Sequence, residues 1–154
     1  MADDEVVIEH PNRGKPASQL ARLAVIVLLI ASAAVVVIVS IGGWDTFEGA
    51  RGVQIAFIVV YAVFALFVAR WSRGVLPMIA ALAVILGIFG AVATPAWFDR
   101  DKDGFTDPAI SSGVLGLLCA LLVLLQIALV LSALIGFRQR WNVEVERHRE
   151  AAPA

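Results

Sequence analysis

Four uncharged runs dominate the chain: Leu23 to Trp44 (22 residues), Gly52 to Ala69 (18), Gly74 to Phe98 (25) and Pro108 to Phe137 (30). Roughly 20 apolar residues in a helix cross the hydrocarbon core of a bilayer, so each run qualifies, the second only just. The sequence therefore predicts an all-α membrane protein, four transmembrane helices in an antiparallel bundle. Its spans fall at about 20–43, 52–71, 75–97 and 108–137, within a membrane domain of residues 20–141. Of the 154 residues 60% are hydrophobic and only 16% charged, and the charges gather at the two ends and in three short interior stretches. Little of such a chain is left for aqueous chemistry.

Lysine and arginine beside a span tend to stay cytoplasmic. Nine of them, Arg13, Lys15, Arg22, Arg70, Arg73, Arg138, Arg140, Arg147 and Arg149, fall on one predicted side; three, Arg51, Arg100 and Lys102, fall on the other. Both termini are thus expected in the cytoplasm and the loops near residues 42–52 and 98–112 outside, in a plasma (inner) membrane. The acidic N-terminus and the length of the first run argue for a retained span rather than a signal peptide. The excess of arginine over lysine hints at a GC-rich bacterial genome. The outer loops carry six acids against those three bases, a net of −3.

All four tryptophans, Trp44, Trp71, Trp97 and Trp141, fall at predicted boundaries, where an indole keeps its ring in the headgroup layer. Gly43-Trp44-Asp45 parallels Ala96-Trp97-Phe98-Asp99, and Arg70-Trp71 parallels Arg140-Trp141, a pattern that either two tandem helical hairpins or ordinary interfacial tryptophan placement would produce. The short link from Arg70 to Gly74 makes spans two and three expected neighbours. Asp107 before Pro108 reads as a helix cap and first residue. Pro95 is expected to kink or stop the third helix just before Trp97. The tail 1–19 is expected to be largely disordered, whereas Arg138 to Glu150 reads as a cytoplasmic extension of the fourth helix running into the C-terminal tail 142–154.

Small residues recur every fourth position at Ala83, Gly87 and Ala91, and at Ala128, Ser132 and Gly136. In lipid such stripes let helices approach closely. They serve either the internal fold or a contact with a second copy or a membrane-protein partner.

Several functions are excluded by what is missing. A net charge of −1 gives no basic surface for nucleic acid. One cysteine, Cys119, allows no intrachain disulfide or dithiol pair, and His10 and His148 lie in the tails, away from any haem or zinc site in the bundle. No ionisable side chain apart from Tyr61 and Cys119 lies within the four runs, unlike proton-coupled transporters. The four-span multidrug exporters depend on an acid in the first span, and none stands there. Gln54 and Gln126, in the second helix of each hairpin, are expected to hydrogen-bond across helices.

One stretch carries a chemical spacing: Asp99-Arg100-Asp101-Lys102-Asp103-Gly104-Phe105-Thr106-Asp107. Carboxylates at alternate positions before a glycine match the start of an EF-hand calcium loop, with Asp99, Asp101 and Asp103 as ligands, the Phe105 carbonyl next and Asp107 acting through water. The twelfth position, normally a bidentate acid, is Ile110; Glu48 or Asp45 from the neighbouring loop is the candidate replacement. Any Ca²⁺ affinity should be weak, about 10⁻⁴–10⁻³ M. The sequence thus predicts a non-enzymatic accessory, assembly or regulatory protein embedded in the lipid bilayer. The alternatives are a Ca²⁺-responsive membrane protein or a pore or transporter of a neutral or lipidic solute, whose cavity would need Gln54, Tyr61, Gln126 and the serines.

Overall fold

The computed structural model describes residues 6–148 except 101, 103 and 105–107. A short strand β1 (Val6–Glu9) leads into the helices α1 (Pro16–Gly42), α2 (Arg51–Ala69), α3 (Leu76–Asp99) and α4 (Ser112–Arg138), and a strand β2 (Val145–His148) follows. Single 3₁₀ turns at Trp44–Thr46 and Arg73–Val75 link α1 to α2 and α2 to α3. All four helices are long and apolar enough to cross a membrane, as expected of a multi-pass membrane protein.

Heptad stripes explain why α1 and α4 form the centre. Apart from Gly116, the buried positions of α4 run Ser112, Leu115, Cys119, Leu122, Gln126, Leu129, Ala133, Gly136, alternating steps of three and four. In α1, Ser18, Val25, Ser32 and Val39 repeat every seven. A strict seven-residue repeat keeps one stripe facing a neighbouring helix along its whole length. Accordingly α1 packs on α4 and on α2, and α3 packs most extensively on α4. Close approach of α3 to α4 depends on Gly90: a Cβ there would sit 3.2 Å from the Cys119 carbonyl oxygen and 3.1 Å from Val123.

The second and third helices depart from expectation. Although joined by a short link, α2 barely touches α3. Buried side chains of α2 begin only at Tyr61 and continue through Phe64, Ala65 and Val68; its first ten residues bury none. Trp71 and the fully buried Trp141 fill the joint, ring against ring at 5.4 Å, and from there the two helices diverge.

Both tails also differ from the sequence reading. The N-terminal tail, expected to be largely disordered, pairs β1 with β2 in antiparallel register, Val6 opposite His148 and Glu9 opposite Val145. The expected helical extension into residues 142–154 does not form in its described part. Helix α4 ends at Arg138, Arg140 takes a left-handed φ of 50°, and the chain turns back to meet β1. Its charges pair across the sheet rather than along a helix: Arg147 Nε lies 3.1 Å from Glu9 and His10 Nε2 3.3 Å from Glu144.

Two proline signals also resolve differently. Pro108 does not begin α4, which starts at Ser112 behind Ser111; Ile110 instead packs over Gly42, where an added Cβ would lie 2.8 Å from its Cδ1. Asp107, the expected cap, lies outside the described residues. Nor does Pro95 stop α3, which continues to Asp99. Its missing N–H removes one backbone bond, and the helix continues for a further turn.

Candidate functional site

At the end carrying the strands, arginines close the helix termini. Four carbonyls at a helix C-terminus lack an intrahelical donor. Arg22 supplies α2, donating to the carbonyls of Val68 (3.3 Å) and Ala69, with its guanidinium 4.6 Å above the Trp71 ring. Arg73 supplies α4, donating to Phe137 O at 2.8 Å and lying 3.9 Å over that ring. Helix α2 ends in a Schellman arrangement: Ser72 N–H donates to Phe67 O and Trp71 N–H to Val68 O, both at 3.0 Å. Trp71 holds φ at 62°, where glycine is usual, and its indole is what the position gains in return. Asn12 and Arg13 donate to Arg140 O and Trp141 O, tying the N-terminal segment to this cap. Trp141 and Trp97 are buried packing residues, while Trp44 is the exposed indole of the four.

Midway along the helices lies a buried polar chain. Tyr61 OH donates to Gln126 Oε1 at 2.7 Å, and Gln126 Nε2 donates to Ser32 Oγ at 2.9 Å, connecting α2, α4 and α1. All three side chains are buried. The cross-helix role expected of Gln126 is present. These groups satisfy one another, and Gln126 also borders a shallow groove beside Ala83 and Gly87.

Beyond this chain, toward the Trp44 and Trp97 end, α2 and α3 stand apart around a cleft of about 750 Å³. Val53, Gln54 and Phe57 form one wall, and Leu86, Phe89, Gly90, Ala93 and Trp97 the other; Val36, Val39, Cys119 and Leu122 form the floor. Phe57 meets Phe89 edge to face at 6.2 Å across the gap and also touches Tyr61 at 5.9 Å, which marks the closed limit of the cleft. At the mouth Phe47 packs edge-on against Trp97 at 5.4 Å. Gly43 lies behind that pair, and a Cβ there would come within 2.6 Å of Phe47 and 2.8 Å of Trp97.

One polar atom in this apolar space has no counterpart. Gln54 lines the cleft, its Oε1 is buried, and it accepts no hydrogen bond among the described residues. The cross-helix bond expected of Gln54 is therefore absent. A buried polar group left unpaired costs about 1–3 kcal/mol, so the site favours an occupant able to pair with it. Sequence reasoning singled out Gln54 but missed Phe57, Phe89, Ala93 and Trp97 as cleft walls, because the first half of α2 is as apolar as the second.

The small-residue stripes are only partly interior. Ala83 is buried and Gly87 faces Gln126, but Ala91 is exposed; Gly136 is buried under Trp141, with Ala128 and Ser132 half-buried. A shallower apolar groove of about 360 Å³ runs over Ala83, Gly87 and Ala91 beside Ile127 and Leu131.

Of the expected calcium ligands, Asp101, Asp103, Phe105 and Asp107 lie outside the described residues. Asp99 is exposed and pairs with Lys102 at 3.3 Å, and Glu48 is exposed on its loop. Gly104 adopts φ of 102°, a conformation glycine accepts readily. Among the described residues no three histidine, cysteine or acidic side chains come together.

No family model, curated protein or solved structure matches the chain. The functional reading rests on its own residues.

Proposed function

We propose that this is a non-enzymatic accessory protein of the plasma membrane, an antiparallel bundle of four spans with both termini in the cytoplasm, and that its α2–α3 cleft holds an apolar chain of a membrane lipid. The orientation rests on the charge asymmetry of the sequence, nine bases on the side expected to be cytoplasmic against three. The observation that carries the lipid reading is the cleft itself, about 750 Å³ of apolar space within the range of small-ligand pockets. Its depth favours a lipid over a partner helix. Along α3 the lining runs from Leu86 to Trp97, a rise of about 17 Å, roughly one leaflet of a 30 Å core, whereas a partner span would need the full thickness.

Native mass spectrometry from lipid nanodiscs tests the reading. The wild type should retain one lipid per chain, and Ala93→Leu, which narrows the cleft, should shed it. An unlipidated wild type, or equal retention by both, overturns the proposal.

A second reading, response to Ca²⁺ at the loop that begins at Asp99, is favoured by the left-handed Gly104 at the sixth position of the motif. A Ca²⁺-dependent thermal shift abolished by Asp101→Asn supports it, and no shift at millimolar Ca²⁺ removes it.

A further inference from the structure

Resting on the lipid reading above, we infer that the cleft selects its occupant by the polar end, taking a neutral lipid with a free hydroxyl that hydrogen-bonds to Gln54. Within a bilayer the chain alone gives little selectivity, because lipid tails solvate an apolar chain as well as a protein wall does. Discrimination falls to the polar groups of the site. Gln54 sits one turn into α2, three residues after Arg51, at the level where a lipid chain meets its polar end. Its Oε1 is the acceptor left unpaired in the wall. A hydroxyl can donate to that oxygen, whereas an ether has no proton to give.

The surroundings argue against an anionic head. The described residues of the two loops at this end set Asp45, Glu48 and Asp99 against Arg51, Arg100 and Lys102, three acids against three bases. The bases are engaged within the protein: Arg51 donates twice to Trp44 O, at 2.8 and 3.1 Å, and lies 4.6 Å over its ring. Lys102 is paired with Asp99, and Arg100, which lines the cleft mouth, lies 5.9 Å over Trp97 and makes a further interaction within the protein. Among the described residues no excess of positive charge stands at the mouth to draw a phosphate.

The test uses the full chain in nanodiscs with three photoactivatable lipids of the same acyl chains: a diacylglycerol with its free hydroxyl, the same lipid with that hydroxyl methylated, and a phosphatidylglycerol. In the wild type the free hydroxyl should raise labelling of the Phe57 and Phe89 peptides about fivefold over the methyl ether, the worth of one net hydrogen bond. Phosphatidylglycerol should label less than diacylglycerol. Gln54→Leu should label equally with the first two lipids while keeping the wild-type Tm within a few degrees. Equal labelling of the wild type by hydroxyl and ether, or a preference for phosphatidylglycerol, overturns the selectivity and leaves the lipid reading standing. No labelling of the cleft peptides by any of the three overturns both.

Discussion

The two halves of α2 are built from similar residues and behave differently. From Tyr61 to Val68 the helix is sealed against α1 and tied to α4 through Gln126, while from Arg51 to Val60 it buries no residue and faces α3 across an open cleft. The difference does not come from hydrophobicity, since both halves are apolar. It comes from what lies opposite: in the closed half α4 presents Gln126 to Tyr61, and Trp71 with Trp141 fills the joint; in the open half the floor of Val36, Val39, Cys119 and Leu122 offers no polar partner and no large ring. Apolar surface alone does not hold helices together in lipid, so packing shape and polar pairing decide which half closes.

The largest effect should come from breaking the closed half at its joint. Trp141→Ala removes a fully buried indole and should destabilise the protein by on the order of 3 kcal/mol, seen as a lower midpoint in detergent-mediated unfolding. Gly90→Val crowds the α3–α4 contact at the Cys119 carbonyl and should cost about 1–3 kcal/mol in the same assay. Gln126→Leu strands the Tyr61 hydroxyl and the Ser32 hydroxyl; its cost should be about 1–2 kcal/mol, and Tyr61→Phe should be milder because only one partner is lost. The open half should respond in the opposite way. Ala93→Leu should change stability by no more than about 0.5 kcal/mol, since the space exists to receive it, yet abolish lipid retention. Equal destabilisation by Ala93→Leu and Gly90→Val would mean the cleft is closed in the membrane.

The spans were legible because charge is so costly in hydrocarbon that its absence marks them within a few residues. The role of Gln126 was legible for a related reason, since a lone amide in a span needs a partner. The separation of α2 from α3 was not: a short connector fixes where two helices begin, not the angle at which they part. The pairing of β1 with β2 was hidden as well, because Val6-Val7-Ile8 is too short to signal a strand and its partner lies some 140 residues away. Pro108 misled because its chemistry suits a helix start, while packing of Ile110 over Gly42 delays that start to Ser112. Of the site, the sequence singled out Gln54 but gave no indication that it would be left without a partner.

The contrast between the halves is tested most directly by placing a diazirine-bearing phenylalanine at position 57 or position 64 of the bilayer-reconstituted protein and weighing the products after irradiation. Phe57 borders the cleft and Phe64 lies in the sealed half. Position 57 should yield a protein–lipid adduct that Ala93→Leu suppresses, and position 64 should yield only crosslinks within the chain. Intrachain crosslinks from position 57 to α3 at the same yield as position 64 gives, with no lipid adduct, would show that α2 and α3 close along their whole length and would contradict the account.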